Sequence, residues 1–177
     1  FFSKDYLGLG IDTIEHALAG QQVVWYAFLM KAIVTSITLS FGGSGGVVTP
    51  IFFIGATSGI LFATLMGLST STFAALGLVS LLAGAANTPL AACIMAVELF
   101  GSPIAPYATI ACVVSFLVTG YRSAFHSQVL KVNKSPSILA ETDHEMDDKH
   151  THFNYGARRM IVKGMKITRK ISKVKIL

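Results

Sequence analysis

Phe41-Gly42-Gly43-Ser44-Gly45-Gly46-Val47-Val48-Thr49-Pro50 puts four glycines within five positions and a proline shortly after them. In a water-soluble protein such a stretch is a loop. Here it separates two apolar stretches of membrane length, 23–40 and 51–68. About 18 or more apolar residues cross the ~30 Å of hydrocarbon in a bilayer. Irregular backbone at membrane depth is tolerated only where protein buries it or a watery cavity solvates it. The stretch therefore reads as a break inside a packed membrane bundle. Pro50 suits the first turn of the helix that follows, where its missing amide is no loss.

Composition supports this reading in both directions along the chain. Of the 177 residues, 53% are hydrophobic and 13% charged, against about a quarter charged in ordinary soluble domains. Mean hydropathy is +0.63. Between Gln22 and Tyr121 the only charged side chains are Lys31 and Glu98. From Arg122 onward there are twelve basic and five acidic residues in 56 positions. These figures exclude a soluble enzyme, a disordered chain or a nucleic-acid-binding domain for the first two thirds. Cys93 and Cys112 both lie in apolar runs, where cysteine acts as a small hydrophobe, so no disulfide framework is expected. Phe1–Gly10 lacks the layout of a signal peptide, and the chain reads as the C-terminal part of something longer.

Before the first apolar run, residues 1–22 read as a connection and a short surface helix, with Asp12 as N-cap and Glu15 closing a capping box. Lys31 falls in the middle of the 23–40 run, where a charge must face protein, carbonyl groups or water. The run 51–68 carries Gly55, Ala56, Gly59 and Ala63 as a small-residue face for close helix packing. Residues 73–86 are too few to span upright, Thr88-Pro89 starts another short helix ending near Glu98–Gly101, and Pro103 opens 104–119. Short helices broken by Gly and Pro mark membrane transporters, whose half-helix ends point at a site near the midplane. The expected fold is all-α, a polytopic membrane bundle of short, broken and tilted helices with a flexible basic C-terminal tail. The expected division is 1–130 for the transmembrane part and 131–177 for the polar tail.

The glycine-rich helix start is the strongest chemical signal. A helix beginning near Val47 leaves its first N–H groups unpaired, with the positive end of the helix dipole behind them. Glycines before it let an ion approach the backbone. Such a site holds an anion without a charged side chain, which suits an ion that must also leave. A tight interhelical turn is the equally weighted alternative. For Lys31 a buried cation satisfied by helix-end carbonyls is favoured over a coupling role. For Glu98 a hydrogen-bonded structural carboxylate is favoured over a proton relay. His144, His150 and His152 with Asp147 and Asp148 read as a solvated charge run rather than a metal site, because their spacing is irregular. No cofactor, catalytic triad, phosphate loop or zinc spacing is present in the pattern, so the chain reads as a non-enzyme.

Gly45-Gly46-Val47-Val48-Thr49-Pro50-Ile51-Phe52-Phe53-Ile54-Gly55-Ala56 resembles the GGxFxPxxxxGA signature of the CLC chloride channels and transporters. Leu82–Glu98, an alanine-rich segment followed by a proline-led helix, resembles the family's next stretch. Lys31 upstream and Tyr121–Leu130 downstream also fit. The resemblance covers roughly residues 6–132 and implies the second half of a CLC subunit, homodimeric through the complete subunit. It implies that the amides of Val47 and Val48 contact a central anion, chloride by default, in a pore partly lined by Gly45–Thr49. Two departures matter. The family's phenylalanine after GGx is Val48, followed by Thr49, as in the fluoride/proton antiporter branch. The tyrosine of the final helix is replaced by Phe125, or by His126 with a one-residue shift. The family's first-half motifs, including the gating glutamate, are not in this sequence. Fluoride exchanged for protons is the closest rival reading, and a non-transporting membrane scaffold is the rival of another class.

Arg158–Lys175 contains eight basic and no acidic residues, which by the positive-inside rule makes the C-terminus cytoplasmic, near anionic headgroups. A C-terminal green fluorescent fusion should therefore fluoresce and a C-terminal alkaline phosphatase fusion should be silent. An active phosphatase would reverse the orientation of every helix.

Overall fold

The computed structural model describes residues 6–43, 45–120, 122–125, 138–139 and 152–153. The chain divides into two compact units, Phe1–Ala124 and Phe125–Leu177. In the first, the described residues form six α-helices: α1 (Ile11–Leu18), α2 (Ala27–Ser40), α3 (Val48–Met66), α4 (Thr70–Ala85), α5 (Pro89–Phe100) and α6 (Ala105–Thr119). A 3₁₀ turn, Ser102–Ile104, leads into α6. In the second unit, Ile138–Leu139 and His152–Phe153 pair as a two-residue antiparallel ladder. The side chains of the histidine and aspartate patch and the basic run Arg158–Lys175 lie outside the described residues.

The membrane fold is all-α, as its hydropathy requires. Val48–Met66 and Ser102–Thr119 are long and apolar enough to cross a bilayer, with mean hydropathy 1.8 and 1.6. The helices α2, α4 and α5 are apolar but shorter. With 14 residues, α2 rises about 21 Å at 1.5 Å per residue, short of the ~30 Å hydrocarbon core. It starts at Ala27 rather than Val23 because a turn intervenes, closed by the Ala27 amide donating to the Val24 carbonyl at 2.9 Å. Exposed apolar side chains such as Leu90, Ile110 and Val118 cover the outside of α5 and α6. Such a surface suits lipid or further protein, not water.

The core is the crossing of α3 and α4. Gly55, Ala56, Gly59 and Ala63 are all buried on one face of α3, as the small-residue pattern requires. A Cβ on Gly55 would come 2.6 Å from the Gly77 carbonyl oxygen. A Cβ on Gly59 would run into the Phe73 carbonyl, and one on Gly77 into the Gly55 carbonyl. The backbones themselves are in contact. At the other end of α4, Gly84 makes room for the hydroxyls of Ser115 and Thr119 on α6. Cys112, buried and unoxidised, lies against the Val79 carbonyl in the same interface.

Two local expectations need correction. Asp12 is not an N-cap. The cap of α1 is Gly10, in left-handed conformation at φ 72°, and no side chain caps the helix. Glycine takes that conformation without strain, which sets the cap two residues before Asp12 and leaves its carboxylate inside the first turn, at the positive end of the dipole. The second concerns α4, which begins three residues before Phe73. Its first hydroxyls bind carbonyls at and just beyond the C-terminal end of α1. Thr70 Oγ1 donates to Gly20 and Ser71 Oγ to Leu18, at 3.1 and 2.5 Å.

Replacing a helical glycine with alanine normally gains up to about 1 kcal/mol of propensity. At Gly59 the contact with the Phe73 backbone should outweigh it, since overpacking costs roughly 1–3 kcal/mol and a backbone carbonyl has no rotamer to escape into. Gly59→Ala should lower the melting temperature of the detergent-solubilised protein, whereas Gly45→Ala, facing open space, should not. Equal melting temperatures would refute the backbone crossing.

Candidate anion site

The glycine stretch does two separate jobs. Gly42 and Gly43 end α2: Gly42 is left-handed at φ 77°, and the Gly43 amide donates to the Thr38 carbonyl at 2.9 Å. This is a Schellman closure, which satisfies carbonyls the helix end would leave open. Gly45 and Gly46 precede α3. Nothing stands within 4 Å of a Cβ built on either, so their role is not tight packing but an uncovered backbone.

Val47 is the N-cap of α3 and carries no capping side chain. The first intrahelical bond runs from the Ile51 amide to the Val47 carbonyl, at 3.2 Å. The amides of Val47, Val48 and Thr49 have no acceptor among the described residues. Pro50, the third helical residue, has no N–H to leave open. The helix thus presents three consecutive donors and the positive end of a 19-residue dipole. An anion is the chemical partner of that arrangement.

Gly45, Gly46 and Pro50 line a cavity of about 280 Å³ together with Lys31, Thr35 and the chain around Gly8. Val47, Val48 and Thr49 are not among the described residues that line it; Val48 is exposed and Thr49 half-buried at the rim of α3. Phe125 is half-buried and is the first residue of the second unit. His126 lies outside the described residues.

Lys31 is 2% exposed. Its ammonium donates to the Tyr6 carbonyl at 3.4 Å and to the Gly8 carbonyl, and lies 5.1 Å from the centre of the Phe53 ring on α3. The carbonyls belong to the segment before α1, not to a helix end. Sequence reasoning anticipated the chemistry but not the donor of the oxygens, since no local pattern links residues 23 and 25 positions apart. Glu98 differs from expectation. It is exposed on α5 with no hydrogen bond among the described residues, because its helix face points away from the core. Among the described residues no group of three or more His, Cys, Asp or Glu side chains gathers as a metal site.

Apolar helices, two of them long enough to cross a bilayer, packed around a cavity that buries a cation define a polytopic membrane protein. The chain belongs to the voltage-gated chloride channel family, whose model matches residues 1–120. It is 43% identical over 147 residues to a chloride/fluoride channel protein of Pseudomonas syringae pv. tomato, covering 83% of this chain and 32% of that one. It is 31% identical over 128 residues to an uncharacterised protein of Methanocaldococcus jannaschii, covering 71% and 32%. The chain thus spans about a third of the length of these curated relatives. The solved crystal structure of a CLC-type fluoride/proton antiporter is similar at a TM-score of 0.64 and 35% identity, over 67% of this chain and 30% of that one.

Because open space lies in front of Gly46, a side chain there should be compatible with folding yet occupy the cavity. Gly46→Leu in the complete protein should insert and assemble normally while anion flux in liposomes falls to background. Wild-type flux in that variant would remove Gly46 from the path.

Proposed function

We propose that the complete protein moves a small monovalent anion, chloride by default, across a membrane along a path that includes Gly45–Thr49. The observation that carries this reading is the run of three amides at Val47–Thr49 with no acceptor among the described residues, directly after Gly45 and Gly46, which line a cavity together with the Lys31 cation. A scaffold has no use for such donors, since unpaired amides in a membrane protein are costly. We further infer a homodimer built through the complete subunit, in a bacterial plasma membrane. Residues 131–177 form its cytoplasmic tail, and the transmembrane part ends near residue 130.

Fluoride exchanged for protons is the second reading, and Thr49 favours it. Its hydroxyl is half-buried at the head of α3 and has no hydrogen bond among the described residues. Fluoride is more strongly hydrated than chloride and needs stronger donors in place of its water. The relatives described as a chloride/fluoride channel and as a fluoride/proton antiporter support the same direction. Parallel chloride- and fluoride-efflux assays on the full-length protein and on Thr49→Ala test it. Under the fluoride reading Thr49→Ala slows fluoride about tenfold, the worth of one hydrogen bond to a charged partner, and spares chloride. Fast chloride, slow fluoride and an inert Thr49→Ala leave chloride as the substrate.

A further inference from the structure

We infer that Lys31 and Thr35 of α2 form a second anion-binding element facing Gly45 and Gly46 across the cavity, with Lys31 as its fixed charge and Thr35 as its direct donor. The inference rests on the anion-transport reading and adds residues that the glycine signature does not contain. Lys31 and Thr35 are four residues apart, so they share one face of α2, and both line the cavity. Every other described lining residue is uncharged. The ammonium is held by neutral carbonyls and an aromatic ring, not by a carboxylate. No carboxylate thus faces it among the described residues, and at 2% exposure water screens it little.

Thr35 differs from its hydroxyl neighbours on the same helix. Ser36, Thr38 and Ser40 each donate to the carbonyl four residues back, at 2.8 Å. Thr35 makes no such bond, nor any other among the described residues. A half-buried hydroxyl on the cavity wall with its proton uncommitted is a donor available to an anion. Val34 and Leu39 add apolar surface to that wall, and the Thr38 hydroxyl beside them is already committed to the Val34 carbonyl, so few polar groups compete for a contact inside it. The cavity thus sets the uncovered backbone of Gly45 and Gly46 together with a hydroxyl and a buried cation of α2. A small halide is the ligand class that fits, since among the described residues Thr35 carries the one uncommitted hydroxyl of the lining.

The test is calorimetric titration of the solubilised full-length protein with sodium chloride and sodium fluoride, followed by efflux measured against anion concentration. Thr35→Val should weaken the tighter-binding anion about tenfold, the expected loss for one hydrogen bond to a charged group, and raise KM in parallel. Thr35→Ser should restore both. Lys31→Met should weaken binding by at least as much, and Lys31→Arg, which keeps the charge, should stay close to wild type. Wild-type affinity in Thr35→Val overturns the proposal, whatever the Vmax. Should Lys31→Met fail to fold for want of its carbonyl contacts, the two threonine variants decide alone. A protein that binds neither anion overturns the proposal as well. Binding without any flux in the wild type would instead remove the transport reading and leave the halide site standing.

Discussion

Everything in the helical unit depends on how closely α3 can approach α4. In lipid there is no hydrophobic gain from joining two apolar helices, so packing itself must hold them together. Gly55, Gly59 and Gly77 let the two backbones touch, with carbonyl oxygens where any Cβ would stand. That contact fixes the axis of α3. It thereby fixes the direction in which the amides of Val47–Thr49 point, because the helix start is a rigid extension of the packed stretch Ile51–Ala63. A functional end is held by a featureless apolar middle.

Lys31 supplies a second constraint. A charge inside the bilayer costs several kcal/mol unless it is solvated by protein. Here the solvating groups come from the Tyr6–Gly8 segment and from Phe53, so one ammonium ties three parts of the chain together. Tyr6 also meets Phe53 edge-on, with ring centres 6.3 Å apart. The same residue that stabilises the wall of the cavity therefore gives the cavity its sign. Structural and electrostatic roles coincide, and a carboxylate partner would have served the first while cancelling the second.

The glycine stretch shows how one composition can encode opposite local tasks. Gly42 and Gly43 are needed for conformation and close approach: a positive φ at the first, and no room beside Thr38 at the second. Gly45 and Gly46 have open space around them, so their lack of a side chain matters for access. In sequence the two pairs look alike. They differ only in which helix has just ended and which is about to begin.

Helix count, the breaks at Pro50, Pro89 and Pro103, and the small-residue face of α3 were legible because hydropathy, Gly and Pro act locally and leave a periodic trace. Boundaries were less legible where another part of the chain decided them, as at Thr70 and Ser71, whose hydroxyls answer carbonyls some 50 residues away. At the candidate site, the amides opening α3 could be read from Gly45–Pro50 alone, since a helix start must leave donors unpaired. Thr35 could not, because a threonine that turns back on its own helix and one that faces a cavity are the same letter. Lys31 announced in sequence that it needed acceptors, through its charge amid apolar neighbours. Only the tertiary structure decided that Tyr6 and Gly8 provide them, because a buried charge selects whichever oxygens the packing of distant segments brings within reach.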